Sequence, residues 1–149
     1  MDVERKRVPL PFDLSSLEHA RLSYGVYSSK VGAGKEEIHI SGNGDVKLLY
    51  TISYNSQPVI RTGTAPKDSI IRLLELFESE GFTKLNKEFV DPGNPESTRI
   101  IGLLLEDRQF TVSVVGVSVP QFERLVGAIK MVASLAHPDV SRGAFFPHL

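Results

Sequence analysis

Every second residue from Val46 to Tyr54 is apolar: Val46, Leu48, Tyr50, Ile52 and Tyr54. Side chains alternate across a β-strand, so a run with this period buries one face only if it is a strand; wound as a helix it scatters its apolar groups around the axis. Gly42-Asn43-Gly44-Asp45 stands just before it. Glycine and asparagine tolerate the positive φ that a tight hairpin demands. On the other side of that turn, Ile38 and Ile40 alternate with Glu37, His39 and Ser41. Leu22, Tyr24 and Val26 alternate in the same way with Ser23, Gly25 and Tyr27, and Gly32-Ala33-Gly34 is expected to turn the chain between these two strands. A further turn at 55–58 leads into a strand from Val59 to Thr64. Strands joined by short turns pair antiparallel.

The period then changes. Ile70, Leu73, Leu74 and Phe77 fall at helical spacing, widened by Ile71, and predict a helix over 65–81. Pro66 suits its first turn and Asp68 its positive end. Gly81 is placed to follow its last residue, with Phe82 folding back onto it. Residues 83–98 read as an irregular loop around Asp91-Pro92-Gly93-Asn94-Pro95. A second hairpin is expected over 99–117, turning at Glu106-Asp107-Arg108. Phe122, Leu125, Val126, Ile129, Val132, Ala133 and Ala136 then predict a helix over 119–136, with Ser118 and Gln121 at capping-box spacing and Pro138 as its stop. The expected fold class is α+β: an antiparallel β-meander plus a second hairpin, with two helices packed on one face of the sheet. The expected organisation is an N-terminal arm over 1–20, a single domain over 21–140 and an apolar C-terminal tail over 141–149. The six helix positions Ile70, Leu73, Phe77, Phe122, Leu125 and Ile129 are expected in one core.

A chain of 149 residues buries enough surface to fold without a covalent staple. It has no cysteine, which removes disulfides, thiolate nucleophiles and the common structural zinc sites. With 17 basic and 18 acidic residues it lacks the positive excess that nucleic acid selects. Arg5, Lys6 and Arg7 form its short basic cluster, read as solvated. No apolar run reaches bilayer length, and Val8 to Asp13 is too short and broken for a signal-peptide core. The expectation is a cytoplasmic protein with neither nucleic acid nor membrane as partner.

Motifs that resemble chemistry fail on their context. Val31-Gly32-Ala33-Gly34-Lys35 lacks the glycine spacing of a phosphate loop, and Glu36-Glu37 would repel phosphate. His137-Pro138-Asp139 spells the tripeptide that J-domain co-chaperones carry between helices, but ten residues follow it, and it reads as a helix stop. His19, His39, His137 and His148 show no metal-ligand spacing. Glu36 and Glu37 point to opposite faces of a strand and so cannot act as an acid/base couple. No G-x-S-x-G elbow accompanies the serines. No catalytic, cofactor-binding or metal-ligating residue is assigned, and no cofactor is expected.

The sheet poses a different question. Strand 100–105 is apolar on both sides, through Ile101, Leu103 and Leu105 on one and Ile100 and Leu104 on the other, as in strands covered on both faces. Two helices on one side leave the other open. Its cover is the arm, the Phe145-Phe146 tail, a second copy or a protein partner. The candidate interaction surface comprises Tyr27, Leu49, Ile101, Leu103, Phe145 and Phe146, with a homodimer as one outcome.

From Leu22 to Ala133, about three-quarters of the chain, the order resembles a type of small uncharacterised bacterial and archaeal α+β domain. The carrying pieces are an "I-x-I-x-G-x-G-x-V" hairpin at Ile38 to Val46, a "T-G-x-x-P" step at Thr62 to Pro66, and an "L-x-x-x-x-G-F" helix end at Leu76 to Phe82. The layout is similar to that of emfourin-type inhibitors of thermolysin-like metalloproteases, which implies protease binding and no catalysis. The long arm and aromatic tail depart from it, and no functional residue is carried over. The functional expectation is a non-catalytic binding or interaction module. The alternative is a small enzyme or ligand-binding protein whose site is built from scattered residues.

Overall fold

The structure, a computed structural model, describes residues 18–28, 33–53, 56–94, 97–106 and 108–137. The arm up to Leu17 and the tail with Phe145 and Phe146 lie outside the described residues. In chain order the elements are β1 (Arg21–Tyr27), β2 (Ala33–Ser41), β3 (Asp45–Ser53), β4 (Val59–Thr64), α1 (Lys67–Ser79), a 3-10 turn (Phe82–Lys84), β5 (Glu88–Val90), β6 (Thr98–Leu105), β7 (Arg108–Val115) and α2 (Pro120–Ala136). The seven strands form one sheet in the order β4-β3-β2-β1-β6-β7-β5.

Turn chemistry sets the meander. Gly44 takes φ 105°, and Asn43 Oδ1 accepts the Asp45 N–H at 3.0 Å, which closes the β2–β3 turn. Gly34 is not in a turn. β2 starts at Ala33, so Gly34 lies within the strand. Glu106 turns the β6–β7 hairpin at φ 53°, and Arg108 already belongs to β7.

The sheet is mixed, not wholly antiparallel. β5 pairs parallel with β7, aligning Phe89 with Val114, within a stretch expected to be irregular. Three residues are too few to show a period. β5 exists because the Ser113 and Asp91 amides donate to the Lys87 and Val115 carbonyls. The expected capping box of α2 does not form. Val119 occupies the N-cap with no side-chain bond, and Pro120 opens the helix, where its missing N–H costs nothing. Gly81 does follow α1, at φ 69°, and Phe82 turns back so that its ring meets that of Phe77 at 4.8 Å.

The registers place Leu22, Tyr24, Ile38, Ile40, Val46, Leu48, Ile101, Leu103, Val112 and Val114 on one side of the sheet. All are buried in one cluster with Ile70, Leu73, Phe77, Phe122, Leu125 and Ile129. The Tyr24 and Phe122 rings meet edge-on at 6.4 Å, and Arg124 of α2 grips Glu80 after α1 through bonds of 2.7 and 2.8 Å. No described helix is long and apolar enough to cross a membrane.

Candidate functional site

The opposite side of the sheet carries the polar alternates. Cross-strand registers align Ile60, Leu49, Glu37, Gly25 and Ile100 in one row. The next rows are Thr51, Lys35, Tyr27 and Thr98 on one side, and Thr62, Lys47, His39, Ser23 and Gly102 on the other. At the centre, the Tyr27 ring folds back over Gly25. A Cβ there would stand 2.6 Å from Tyr27 Cζ, so only glycine leaves the ring its place. This brings the Tyr27 hydroxyl to Glu37, the cross-strand partner of Gly25, and it donates to Oε2 at 2.8 Å. His39 Nε2 meets Glu37 Oε1 at 2.9 Å, and Lys35 Nζ lies 3.5 Å from Oε2.

Glu37 is the hub of this group. Its side chain is 14% exposed, while those of Lys35 and His39 are each 46% exposed. Burial on its own would raise the Glu37 pKa, but hydrogen bonds from His39 and Tyr27 and the Lys35 charge outweigh it. The carboxyl is held below its ordinary value. Burial, and then the bond to Glu37, push the Tyr27 phenol up. The group is thus an ionised carboxylate gripping an aromatic ring, an imidazole and an ammonium on an open surface.

Of the residues expected at the interaction surface, Tyr27 and Leu49 lie on this face. Ile101 and Leu103 do not. They pair with Tyr24 and Leu22 and are 0% and 1% exposed within the core. The large apolar β6 residues that share the face of Tyr27 are Ile100 and Leu104, because the register sets odd positions of β6 beside even positions of β1. Glu36 and Glu37 do point to opposite faces, Glu36 being 4% exposed on the core side. Sequence reasoning missed the Glu37 hub. The available signal was Lys35-x-Glu37-x-His39, three polar residues of one strand face.

A second polar group lies where the sheet meets α2. Arg99 Nη1 donates to Glu123 Oε1 at 2.9 Å, its Nη2 donates to Oε2, and its guanidinium sits 5.2 Å from the Phe122 ring centre. The Arg99 bond holds Glu123 below the ordinary carboxylate range, whereas burial and then Arg99 lower Lys130. These contacts fasten α2 to β6. A shallow depression of about 560 Å³ is lined by His19, Arg21, Leu104 and Glu106.

The Glu37 group sets a carboxylate, a phenol, an imidazole and an ammonium side by side on the open face. Ser23 is the cross-strand partner of His39, but its Oγ lies 2.8 Å from where a Cβ on Gly102 would stand, on the side away from β2. Sheet amides lie in the ladder, so none points out of the face to stabilise an oxyanion. Among the described residues, no group of three or more His, Asp or Glu side chains could hold a metal. The chain matches no family model, and no curated protein matches it.

Proposed function

We propose that this chain is a non-catalytic protein-binding module, with the helices covering one face of the sheet and the partner meeting the other. The observation that carries the reading is the Glu37 hub. It pre-sets Tyr27, His39 and Lys35 beside the half-buried Leu49 and Ile100 and the exposed Ile60. A contact surface gains affinity when an aromatic anchor and its charged neighbours are already held in place, because less freedom is lost on binding. The layout resemblance makes a thermolysin-like metalloprotease one candidate partner.

The test compares the wild-type chain with Leu49→Arg, which adds charge to the open face and leaves the core alone. Wild type is expected to retain a defined protein on an affinity column, or to inhibit thermolysin stoichiometrically, and Leu49→Arg to lose that property with its melting temperature unchanged. Equal binding by both proteins would reject the open face as the contact. A second reading, a hydrolase, draws support from Ser23 being the cross-strand partner of His39, which in turn bonds Glu37. Covalent labelling by a fluorophosphonate that disappears in Ser23→Ala would favour it.

A further inference from the structure

The two edges of the sheet are built differently. The β5 edge is three residues long and runs into Asp91-Pro92, a short edge of the kind that resists pairing. β4 is six residues long and is exposed throughout, apart from the half-buried Gly63. It contains no proline and only one charge, Arg61. The Ala65 amide donates to the Gly44 carbonyl, which fixes the alternation of the β3–β4 ladder. Val59, Arg61 and Gly63 therefore turn their backbone groups toward β3, while Ile60, Thr62 and Thr64 turn theirs outward. Among the described residues no other strand pairs with that outer side.

We infer that β4 is the dimer edge of this protein, pairing antiparallel with β4 of a second copy about a twofold axis at Thr62. The occupant follows from the charge and shape of the strand itself. In this register Thr62 pairs with its own copy and Ile60 with Thr64 of the partner, each exchanging both backbone bonds. Arg61 falls opposite Gly63 of the other copy. A register one pair away sets Arg61 against Arg61, which like charge disfavours.

Gly63 is where α2 ends. The Ala136 carbonyl lies 2.6 Å from where a Cβ on Gly63 would stand, and the last turn of α2 has no basic residue of its own. A cation arriving over Gly63 meets the negative end of the helix. Arg61 of the second copy supplies that cation, and by symmetry the exchange occurs twice. In the single chain, Arg61 Nη1 instead donates to the Ile60 carbonyl at 3.3 Å, so an outward acceptor of the edge is occupied by its own side chain. Pairing gives that carbonyl the Thr64 amide of the partner in place of the Arg61 side chain. The inference stands apart from the open-face reading, since β4 pairs through its edge.

The absence of cysteine makes the test clean. A hydrogen-bonded antiparallel pair sets its Cα atoms about 5.5 Å apart, within the disulfide range of about 4.4–6.8 Å. Thr62→Cys in the full chain is expected to give a covalent dimer under mild oxidation, and Thr111→Cys, also exposed but on β7, to give far less. Sedimentation should show a dimer for wild type and a folded monomer for Thr62→Pro, which removes an outward amide and leaves the β3 ladder intact. Arg61→Glu should weaken dimerisation about tenfold, as expected for two opposed helix-end charges. A wild-type monomer at the highest attainable concentration, or equal crosslinking of both cysteine variants, would overturn the inference. Thr62→Cys keeps it falsifiable if the proline variant does not fold.

Discussion

Glu37 shows how a single carboxylate can organise a surface. Three side chains from two strands converge on it, and each depends on its charge. Its folded pKa lies below the ordinary carboxylate value of 4.5. A depressed carboxylate contributes stability above its unfolded pKa and loses it as pH falls through the folded one. Wild type should therefore lose stability from about pH 4.5 downward, with the Arg99-bound Glu123 adding to the same slope. Glu37→Gln is expected to be less stable at pH 7 and to show a shallower loss on acidification, measured by urea titration between pH 7 and pH 3. Identical pH profiles would show that Glu37 contributes no linkage. Tyr27→Phe removes one bond to a charged acceptor and should cost about 1.5–3 kcal/mol at most, less for its half-open setting. Alternation alone separates Glu36 from Glu37. The sequence shows that Lys35, Glu37 and His39 share a strand face, but not that Tyr27 joins them, because that depends on the β1–β2 register and on a glycine that lets Tyr27 lie down.

At the scale of elements, both helices were legible because each carries a full apolar stripe. Ile70, Leu73, Phe77, Phe122, Leu125 and Ile129 are all buried, as their spacing predicts. Phe77→Ala or Phe122→Ala should cost about 3–5 kcal/mol in denaturant titration, and a loss below about 1 kcal/mol would show that the ring is not core. Phe122 has a further role, since it packs on Tyr24 and under Arg99, so its loss should also loosen the Arg99–Glu123 grip. Gly63→Ala tests the other end of α2. The new methyl would strike the Ala136 backbone, which cannot swing aside as a side chain does, and the expected cost is about 1–3 kcal/mol in the same titration. β5 escaped the sequence because its three residues are held by backbone bonds to β7, which leave no hydrophobic period. The α2 cap escaped it because Pro120 starts the helix one residue later than Ser118 would.

At the scale of the whole molecule, the question is whether the two halves of the chain are separate folding units. β1 to β4 form one run of hairpins, and β5 to β7 form the other strand group. They meet at β1 and β6, where Tyr24 pairs with Ile101 and Leu22 with Leu103. Periodicity reports which face a residue takes and not which strand is its neighbour, so this seam was illegible, and with it the fact that Ile101 belongs to the core. α2 then ties the halves together. It begins over Tyr24 and Arg99 and ends over Gly63 of β4, so the last helix in the chain lies across strands of the first half. Neither half can bury its own face without the other, and the chain should unfold in one cooperative step. The tyrosines make this testable. All four, at 24, 27, 50 and 54, lie in the first half, and the chain has no tryptophan. Tyrosine fluorescence therefore reports the first half of the chain, while far-UV circular dichroism is dominated by α1 and α2. At one fixed protein concentration the two signals should give coincident urea transitions with the same midpoint and slope. Separate midpoints would show that the seam and α2 do not couple the halves, and that the sheet is two units laid edge to edge.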